Sequence, residues 1–279
     1  MCGIVGYLGD RPAYPMLIQG LRRLEYRGYD SAGVALVHEN GTLDVFKSKG
    51  KVADLERATQ GQDVSGTIGI AHTRWATHGE PNDANAHPHY SQSKTLAIIH
   101  NGIIENYNVL REMLRNHDYT FQSDTDTEVL VQLIEYIKQT NHCDLCTAVQ
   151  LALHEVVGAY AIAVIEKENP DLIVAARKSS PLVIGIRGNE RFLASDATPI
   201  IEHTKEVVYL NDEEVAVIRR NEPLQVVSLD NVVKPLHIKM LEMNISQLEK
   251  GGFPHFMLKE IHEQPHAIRE ATAARIQDG

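Results

Sequence analysis

The sequence predicts an α+β domain of layered antiparallel sheets and helices, and three observations support this fold class. A strand-like segment opens the chain, helix-like segments dominate the middle, and strand-like segments prevail after residue 159. Asn40-Gly41 separates two apolar runs, which is typical of a β-hairpin turn. Strands grouped apart from helices favour an antiparallel layered domain over a parallel doubly wound sheet.

The first third of the chain begins with the apolar run 2–8, which predicts a buried strand. Leu17, Leu21 and Leu24 then recur at helical spacing after Pro12, which predicts an amphipathic helix. Further strands are predicted at 32–38, 43–48, 67–73 and 95–100, and further helices at 52–59 and 107–115.

The middle of the chain contains the helix with the strongest sequence signals, at 125–138. Thr125 and Glu128 have the spacing of a capping box. An apolar stripe on one face follows, formed by Val129, Leu130, Leu133, Ile134 and Ile137. A further helix is predicted at about 146–157.

The remainder of the chain is predicted to be mostly β up to about Met240. Its strands are expected at 160–165, 172–176, 182–186, 191–194, 207–210, 215–219, 225–228 and 235–239. The composition then becomes polar up to Gly251-Gly252, and a helix-like pattern follows. We therefore predict one domain over residues 2–240, with 241–279 as a linker and the start of a region that the chain does not contain.

Composition and charge exclude several classes of function. The 279 residues are 43% hydrophobic and 23% charged, which is typical of a soluble globular protein. A net charge of −10 disfavours nucleic acid and anionic membranes as partners. No apolar run reaches membrane-spanning length, and the first residues do not resemble a signal peptide. Three cysteines are too few for a disulfide framework, so we expect a cytoplasmic protein.

Cys2 is the first candidate catalytic residue, because it directly follows Met1. Methionine removal would place a thiol and a free α-amine on one residue. An α-amine with a pKa of about 7.7–8.0 can act as the base for its own side-chain nucleophile. The alternative is an ordinary small residue at the start of a strand.

Two polar segments downstream add candidate binding groups. Residues 71–79 and 85–89 are rich in Arg, Trp, Thr, His and Gly, and the guanidinium of Arg74 suits a bidentate contact with a carboxylate. The alternative for Arg74 is a surface ion pair. Asn101 and Gly102 follow an apolar strand, where a side-chain N–H and a backbone N–H could form an oxyanion hole. The alternative there is a turn.

Two further segments carry weaker signals. Asp126 would lie in the first turn of the helix at 125–138, where it could bind a substrate ammonium or simply interact with the helix dipole. Residues 22–33 combine Arg, Tyr and Gly between a helix and a strand, which suggests a functional loop without a defined role. Together, these groups describe an enzyme that hydrolyses the side-chain amide of a free α-amino acid, for which glutamine is the natural candidate.

A family resemblance supports this interpretation. Residues 2–6 resemble the class II, N-terminal-nucleophile glutamine amidotransferases. Longer runs are similar to the glutaminase domains of the glucosamine-6-phosphate synthases, a family that aminates and isomerises fructose 6-phosphate. These runs are residues 23–33, 72–79, 85–89, 100–106, 125–129 and 253–265.

The resemblance implies a four-layer αββα sandwich and assigns roles to individual residues. Cys2 would be the nucleophile, and Asn101 with Gly102 the oxyanion hole. Arg74 would hold the α-carboxylate of glutamine, and Asp126 its α-amine. The remaining assignments are the glutamine-covering loop residues Thr77 and His78 and the ammonia-gating residue Trp75.

The resemblance also implies partners. Ammonia would pass to fructose 6-phosphate in a C-terminal isomerase half that is missing here, and the full-length enzyme would be a homo-oligomer.

No cofactor and no metal are expected. Cys143 and Cys146 beside His142 have CxxC spacing but no second cysteine pair, and the histidine-rich loops fit ligand binding better than metal binding.

Three alternatives are open at this stage. A phosphoribosylpyrophosphate amidotransferase or an asparagine synthetase glutaminase domain could begin in the same way, but residues 74–78 and 253–265 argue against both. A non-enzymatic glutamine-binding module could use the same fold, although the presence of Cys2, Asn101 and Gly102 disfavours it.

Overall fold

The computed structural model of the chain describes residues 2–75, 79–242 and 252–273. The chain divides into two compact units, Met1–Leu241 and Glu242–Gly279. The first unit contains two stacked β-sheets with helices on their outer faces. In the described part of the second, a helix begins at Phe256 and ends at Ala273.

The strands of the first unit are, in chain order, β1 (Gly3–Leu8), β2 (Ser31–Val37), β3 (Leu43–Lys49), β4 (Ile68–Arg74), β5 (His89–Tyr90), β6 (Leu96–Ile104), β7 (Gly158–Glu166), β8 (Asn169–Lys178), β9 (Val183–Arg187), β10 (Glu190–Ala194), β11 (Glu206–Tyr209), β12 (Glu214–Arg219), β13 (Gln225–Ser228) and β14 (Ile238–Met240). The helices are α1 (Ala13–Leu24), α2 (Val52–Ala58), α3 (Tyr107–Arg115), α4 (Asp126–Asn141), α5 (Leu145–Glu155) and, in the second unit, α6 (Phe256–Ala273). A short 3₁₀ helix, Glu25–Arg27, follows α1.

Two antiparallel sheets result. The first has eight strands in the order β14-β11-β9-β10-β1-β4-β2-β3, and the second has six in the order β13-β12-β8-β7-β6-β5. β1 lies between β10 and β4, so the start of the chain is paired on both sides. β6 pairs with β7 from Leu96–Glu166 to Ile104–Gly158.

The core between the sheets is formed by alternate residues of facing strands. Ile4 and Ile70 from the first sheet and Ala97, Ile99 and Ala163 from the second belong to one buried cluster. Because successive strand residues point to opposite faces, the members of this cluster show which face of each strand is turned towards the other sheet. Polar residues on the same face therefore enter the region between the sheets.

The outer layers are helical. α1 packs on β1 and β4, whereas α4 and α5 pack on the second sheet. Leu130 and Ile134 of α4 share a second buried cluster with Ile98 of β6 and Val164 of β7. The predicted α+β class and the four-layer αββα arrangement of antiparallel sheets are thereby confirmed.

β6 differs from the strand predicted at 95–100, because it continues through Asn101 and Gly102 to Ile104. Backbone pairing with β7 does not depend on side-chain polarity, so the polar residues continue the ladder instead of ending it. None of the helices in the described part of the chain has the length and apolarity needed to cross a membrane.

Candidate active site

Strand alternation directs three polar side chains into the region between the sheets. On β4, Ile70 belongs to the inter-sheet core, so His72 and Arg74 lie on the same face two and four residues later. On β6, Ile99 belongs to that core, and Asn101 shares its face. Polar groups therefore replace the apolar core at one end of the sandwich.

Cys2 joins this end of the sandwich through the register of β1. Gly3 is opposite Thr73 of β4, so Cys2 lies next to Arg74. The backbone N–H of Trp75 donates to Cys2 Sγ at 3.2 Å, and the thiol lies 3.5 Å from the Trp75 carbonyl oxygen. The sulfur is therefore held at the point where β4 ends.

The Cys2 thiol has a raised pKa. Burial is the main cause, because it disfavours the thiolate, and the nearby carboxylate of Asp30 acts in the same direction. The hydrogen bond from Trp75 N–H and the positive charge of Arg74 lower the pKa without compensating. The residue is therefore mainly a thiol at neutral pH and needs a base to react as a nucleophile.

The Asn101 amide connects the two sheets. Its Nδ2 donates to the backbone carbonyl oxygen of Cys2 at 3.1 Å, and its Oδ1 lies 2.9 Å from His72 Nε2. Gly102 follows with φ +132°, and a Cβ built there would lie 2.0 Å from the Ala159 carbonyl oxygen. Only glycine fits this backbone conformation and this close approach.

Two opposite charges line the same cleft as Cys2. Arg74 is buried, and its Nη2 donates to the Gly79 carbonyl oxygen at 3.3 Å. Asp126 is the first residue of α4, and its Oδ2 accepts the backbone N–H of Ile104 at 2.8 Å. A buried guanidinium and a buried carboxylate in one cleft match the two charged groups of a free α-amino acid.

The cleft has a volume of about 400 Å³, within the range of small-molecule sites. It contains every described residue of the predicted site, namely Cys2, Arg74, Trp75, Asn101, Gly102 and Asp126. The Trp75 side chain is 56% exposed. The other two predicted site residues, Thr77 and His78, lie outside the described residues.

The cleft also includes residues to which the sequence assigned no role. Arg27 lies in the segment 22–33 and has its Nη1 3.5 Å from Asp196 Oδ2. Ser180 and Pro181 come from the turn between β8 and β9. The composition of 22–33 was a usable signal for Arg27, whereas no motif marks the turn.

Histidine rings form a buried cluster at the cleft, which His87 and His100 help to line. His72 and His87 stack with ring centroids 4.3 Å apart, and His89 meets His87 edge-on at 4.9 Å. Burial lowers the pKa of His72 to about 3, and it holds the pKa values of His87 and His89 well below their ordinary value. These rings are therefore neutral at physiological pH.

Within residues 2–75, 79–242 and 252–273, no cluster of three or more His, Cys, Asp or Glu side chains is arranged to hold a metal ion. His89 Nε2 contacts Thr125 Oγ1 at 3.1 Å, and His100 Nδ1 contacts Thr127 Oγ1 at 3.0 Å. These two rings connect the cluster to the N-cap residue and the first turn of α4.

Comparison with protein families and with curated sequences gives consistent results. Residues 38–254 match the glutamine amidotransferase domain. Two curated proteins, both called glutamine–fructose-6-phosphate aminotransferase (isomerising), are similar to the chain. The one from Bacteroides thetaiotaomicron is 65% identical over 276 residues, and the one from Chlorobaculum tepidum is 52% identical over 283. Each alignment covers 99% of this chain but 45% of the relative, so the chain spans about half the length of these proteins.

A solved structure has a similar fold. Glutamine phosphoribosylpyrophosphate amidotransferase from B. subtilis, complexed with ADP and GMP, aligns with a TM-score of 0.68 and 28% identity. The alignment covers 82% of this chain and 49% of that one. The similarity supports the four-layer arrangement independently of the curated sequences.

Proposed function

Because residues 38–254 match its domain, the chain belongs to the glutamine amidotransferase family, and we propose that it hydrolyses L-glutamine to L-glutamate and ammonia. One observation carries this proposal: the Asn101 amide reaches the backbone of Cys2 inside a cleft that also holds Arg74 and Asp126. The proposal is supported because the proposed nucleophile, the proposed oxyanion donor and two charged side chains of opposite sign line the same cleft.

In the proposed reaction, Cys2 acts after Met1 has been removed. The α-amine of Cys2 takes the thiol proton, and Sγ attacks the side-chain carbonyl carbon of glutamine. Asn101 Nδ2 and the Gly102 backbone stabilise the tetrahedral oxyanion. The C–N bond then breaks, the amine returns its proton to the leaving nitrogen, and ammonia departs. Water hydrolyses the remaining γ-glutamyl thioester to glutamate and the free thiol.

Substrate selection follows from the charges in the cleft. Arg74 would hold the α-carboxylate of glutamine with two parallel N–H donors, and Asp126 would accept hydrogen bonds from the α-ammonium. Thr77 and His78 are assigned to the segment that covers glutamine. Trp75 is assigned to control ammonia passage, and its half-exposed ring directly follows β4 beside the thiol.

The names and lengths of the relatives support a wider proposal for the longer protein. An isomerase half of that longer protein, which this chain does not include, would use the ammonia to convert fructose 6-phosphate to glucosamine 6-phosphate. We further propose that this longer protein is a cytoplasmic homo-oligomer without nucleic-acid or membrane partners. This chain alone would release ammonia to solvent.

Covalent labelling tests the assignment of the nucleophile. A glutamine-like electrophile should add one adduct mass to the protein that lacks Met1, and none to Cys2→Ala. Cys146→Ala is the matched control, because burial raises the pKa of that thiol to about 11 and it lies on α5 outside the cleft. It should label like the unaltered chain. Labelling of Cys2→Ala, or absence of glutamate formation in protein that lacks Met1, would contradict the proposal.

A further inference from the structure

We propose that His72 is a positioning residue for Asn101, holding the side-chain amide so that Nδ2 faces Cys2. This role rests on the function proposed above, because it matters only if Asn101 stabilises an oxyanion. In the sequence, His72 belongs to the polar segment 71–79 without a role of its own, and the proposed amide hydrolysis does not use it.

The geometry places His72 and Cys2 at opposite ends of the Asn101 amide. Oδ1 lies 2.9 Å from His72 Nε2, while Nδ2 donates to the Cys2 carbonyl oxygen at 3.1 Å. A rotation of the amide by 180° would place an oxygen against the Cys2 carbonyl and an NH₂ group against the His72 N–H. Both contacts would then be repulsive, so the two partners select one orientation.

The chemistry of the ring supports this assignment. His72 is fully buried, and its lowered pKa keeps the imidazole neutral with a single N–H. Since Asn101 Oδ1 can only accept, the proton must be on Nε2 of His72. A neutral donor also avoids a second positive charge beside Arg74.

The surrounding structure fixes the ring itself. The backbone of His72 is paired on both sides, opposite Ile4 of β1 and Gly33 of β2. The ring stacks on His87, whose Nδ1 accepts the backbone N–H of His100 at 3.4 Å. A Cβ at Gly33 would lie 2.2 Å from the His87 carbonyl oxygen, so glycine there permits the close approach of the His87 segment.

The test is a double-mutant cycle on glutamine hydrolysis by the full 279-residue chain. His72→Phe keeps a flat ring that can stack on His87 and removes the donor. It should lower kcat by about 10- to 100-fold, less than the complete loss of an oxyanion donor, while KM changes less than about threefold. In an Asn101→Ala background, the same substitution should lower kcat by less than about threefold, because the group through which it acts is gone.

Two controls separate positioning from general damage. His203→Phe replaces another stacked imidazole, whose centroid lies 4.6 Å from that of Phe192 and outside the cleft, and it should retain kcat. His72→Gln restores an N–H donor of similar reach and should recover part of the lost kcat. If His72→Phe lowered kcat by the same factor with and without the Asn101 amide, the role of His72 would be overturned. An unchanged kcat in folded His72→Phe would overturn it as well.

A measurement on the unaltered protein is independent of variant folding. The ¹⁵N spectrum at neutral pH should show His72 as the Nε2–H tautomer, and an Nδ1–H tautomer would overturn the proposal even if His72→Phe does not fold. Absence of glutamine hydrolysis by unaltered chain lacking Met1 would instead overturn the proposed function, and the positioning role with it. Failure of the two proposals is therefore distinguishable.

Discussion

The side-chain amide of Asn101 donates to the backbone carbonyl of Cys2, with Nδ2 and O 3.1 Å apart. The two residues are 99 positions apart in sequence, and Cys2 directly precedes β1 of the first sheet while Asn101 lies on β6 of the second, so this bond connects the two sheets. An amide nitrogen carries two hydrogens, and one is used here. The second is the group that we assign to the oxyanion.

The first prediction concerns this amide. Asn101→Ala should lower kcat for glutamine hydrolysis by about 10²–10³-fold with a small change in KM, because a donor to the transition state is lost. Steady-state kinetics with glutamate detection measures both parameters.

Asn106→Ala is a suitable control for Asn101→Ala. Its amide also bridges main-chain groups, donating to the Glu155 carbonyl oxygen at 2.8 Å and accepting the Val157 N–H at 3.0 Å, but it lies outside the cleft. It should lower stability and leave kcat of the folded protein unchanged. Equal kcat losses in both variants would argue that Asn101 is only structural.

The second prediction concerns the glycine beside Asn101. Gly102→Ala should abolish measurable hydrolysis and lower the melting temperature, because a Cβ would lie 2.0 Å from the Ala159 carbonyl oxygen at φ +132°. Gly41→Ala also has positive φ, +76°, but nothing lies within 4 Å of its Cβ position. It should cost only about 1 kcal/mol and retain activity. A Gly102→Ala protein with normal kcat would show that this backbone is not part of the oxyanion hole.

Much of the site could be predicted from local sequence patterns. Arg74, Asn101, Gly102 and Asp126 were identified by residue type and position, and all four line the cleft. The predicted strands ended at 73 and 100, so the sequence did not show that Arg74 and Asn101 extend the core-facing sides of β4 and β6. The capping interaction was also readable in part, since Thr125 Oγ1 accepts the Glu128 N–H at 3.3 Å.

The remaining features depend on long-range pairing, which local spacing does not determine. Nothing in residues 68–74 specifies that His72 meets Asn101, because that contact depends on how two separate sheets stack. Ser180 enters the cleft from a turn without a motif. A complete capping box would have the Glu128 carboxylate accept the backbone N–H of Thr125. Instead, this carboxylate accepts the N–H groups of Gln122 and Ser123.

The third prediction concerns stability at acidic pH. His72, His87 and His89 have folded-state pKa values below their ordinary value of 6.5, mainly through burial; for His89 the positive charges of Lys47 and Arg74 act in the same direction. Below about pH 6.5 the unfolded chain binds protons that the folded chain excludes. The free energy of unfolding should therefore fall as pH drops from 6.5 towards 3, by about 1.4 kcal/mol per pH unit for each histidine.

Urea unfolding between pH 7.5 and 5 tests this dependence. His89→Gln removes one titrating ring and keeps a group able to contact Thr125 Oγ1. Below pH 6.5, its free energy of unfolding should therefore fall less steeply with decreasing pH, by about 1.4 kcal/mol per pH unit. Identical slopes for this variant and the unaltered chain would mean that His89 is not excluded from protonation in the fold.

The last prediction separates the two roles of Asp126. Asp126→Asn keeps an oxygen that can accept the Ile104 N–H, so the melting temperature should change little. It removes the negative charge that we assign to the α-ammonium of glutamine, so KM should rise by about 10- to 100-fold, as expected for loss of a charged hydrogen bond. Asp144→Asn is the matched control, because its carboxylate likewise accepts a backbone N–H, that of Thr147 at 2.8 Å, at the start of α5. It should leave KM unchanged, and an unchanged KM in Asp126→Asn as well would assign Asp126 to the helix terminus alone.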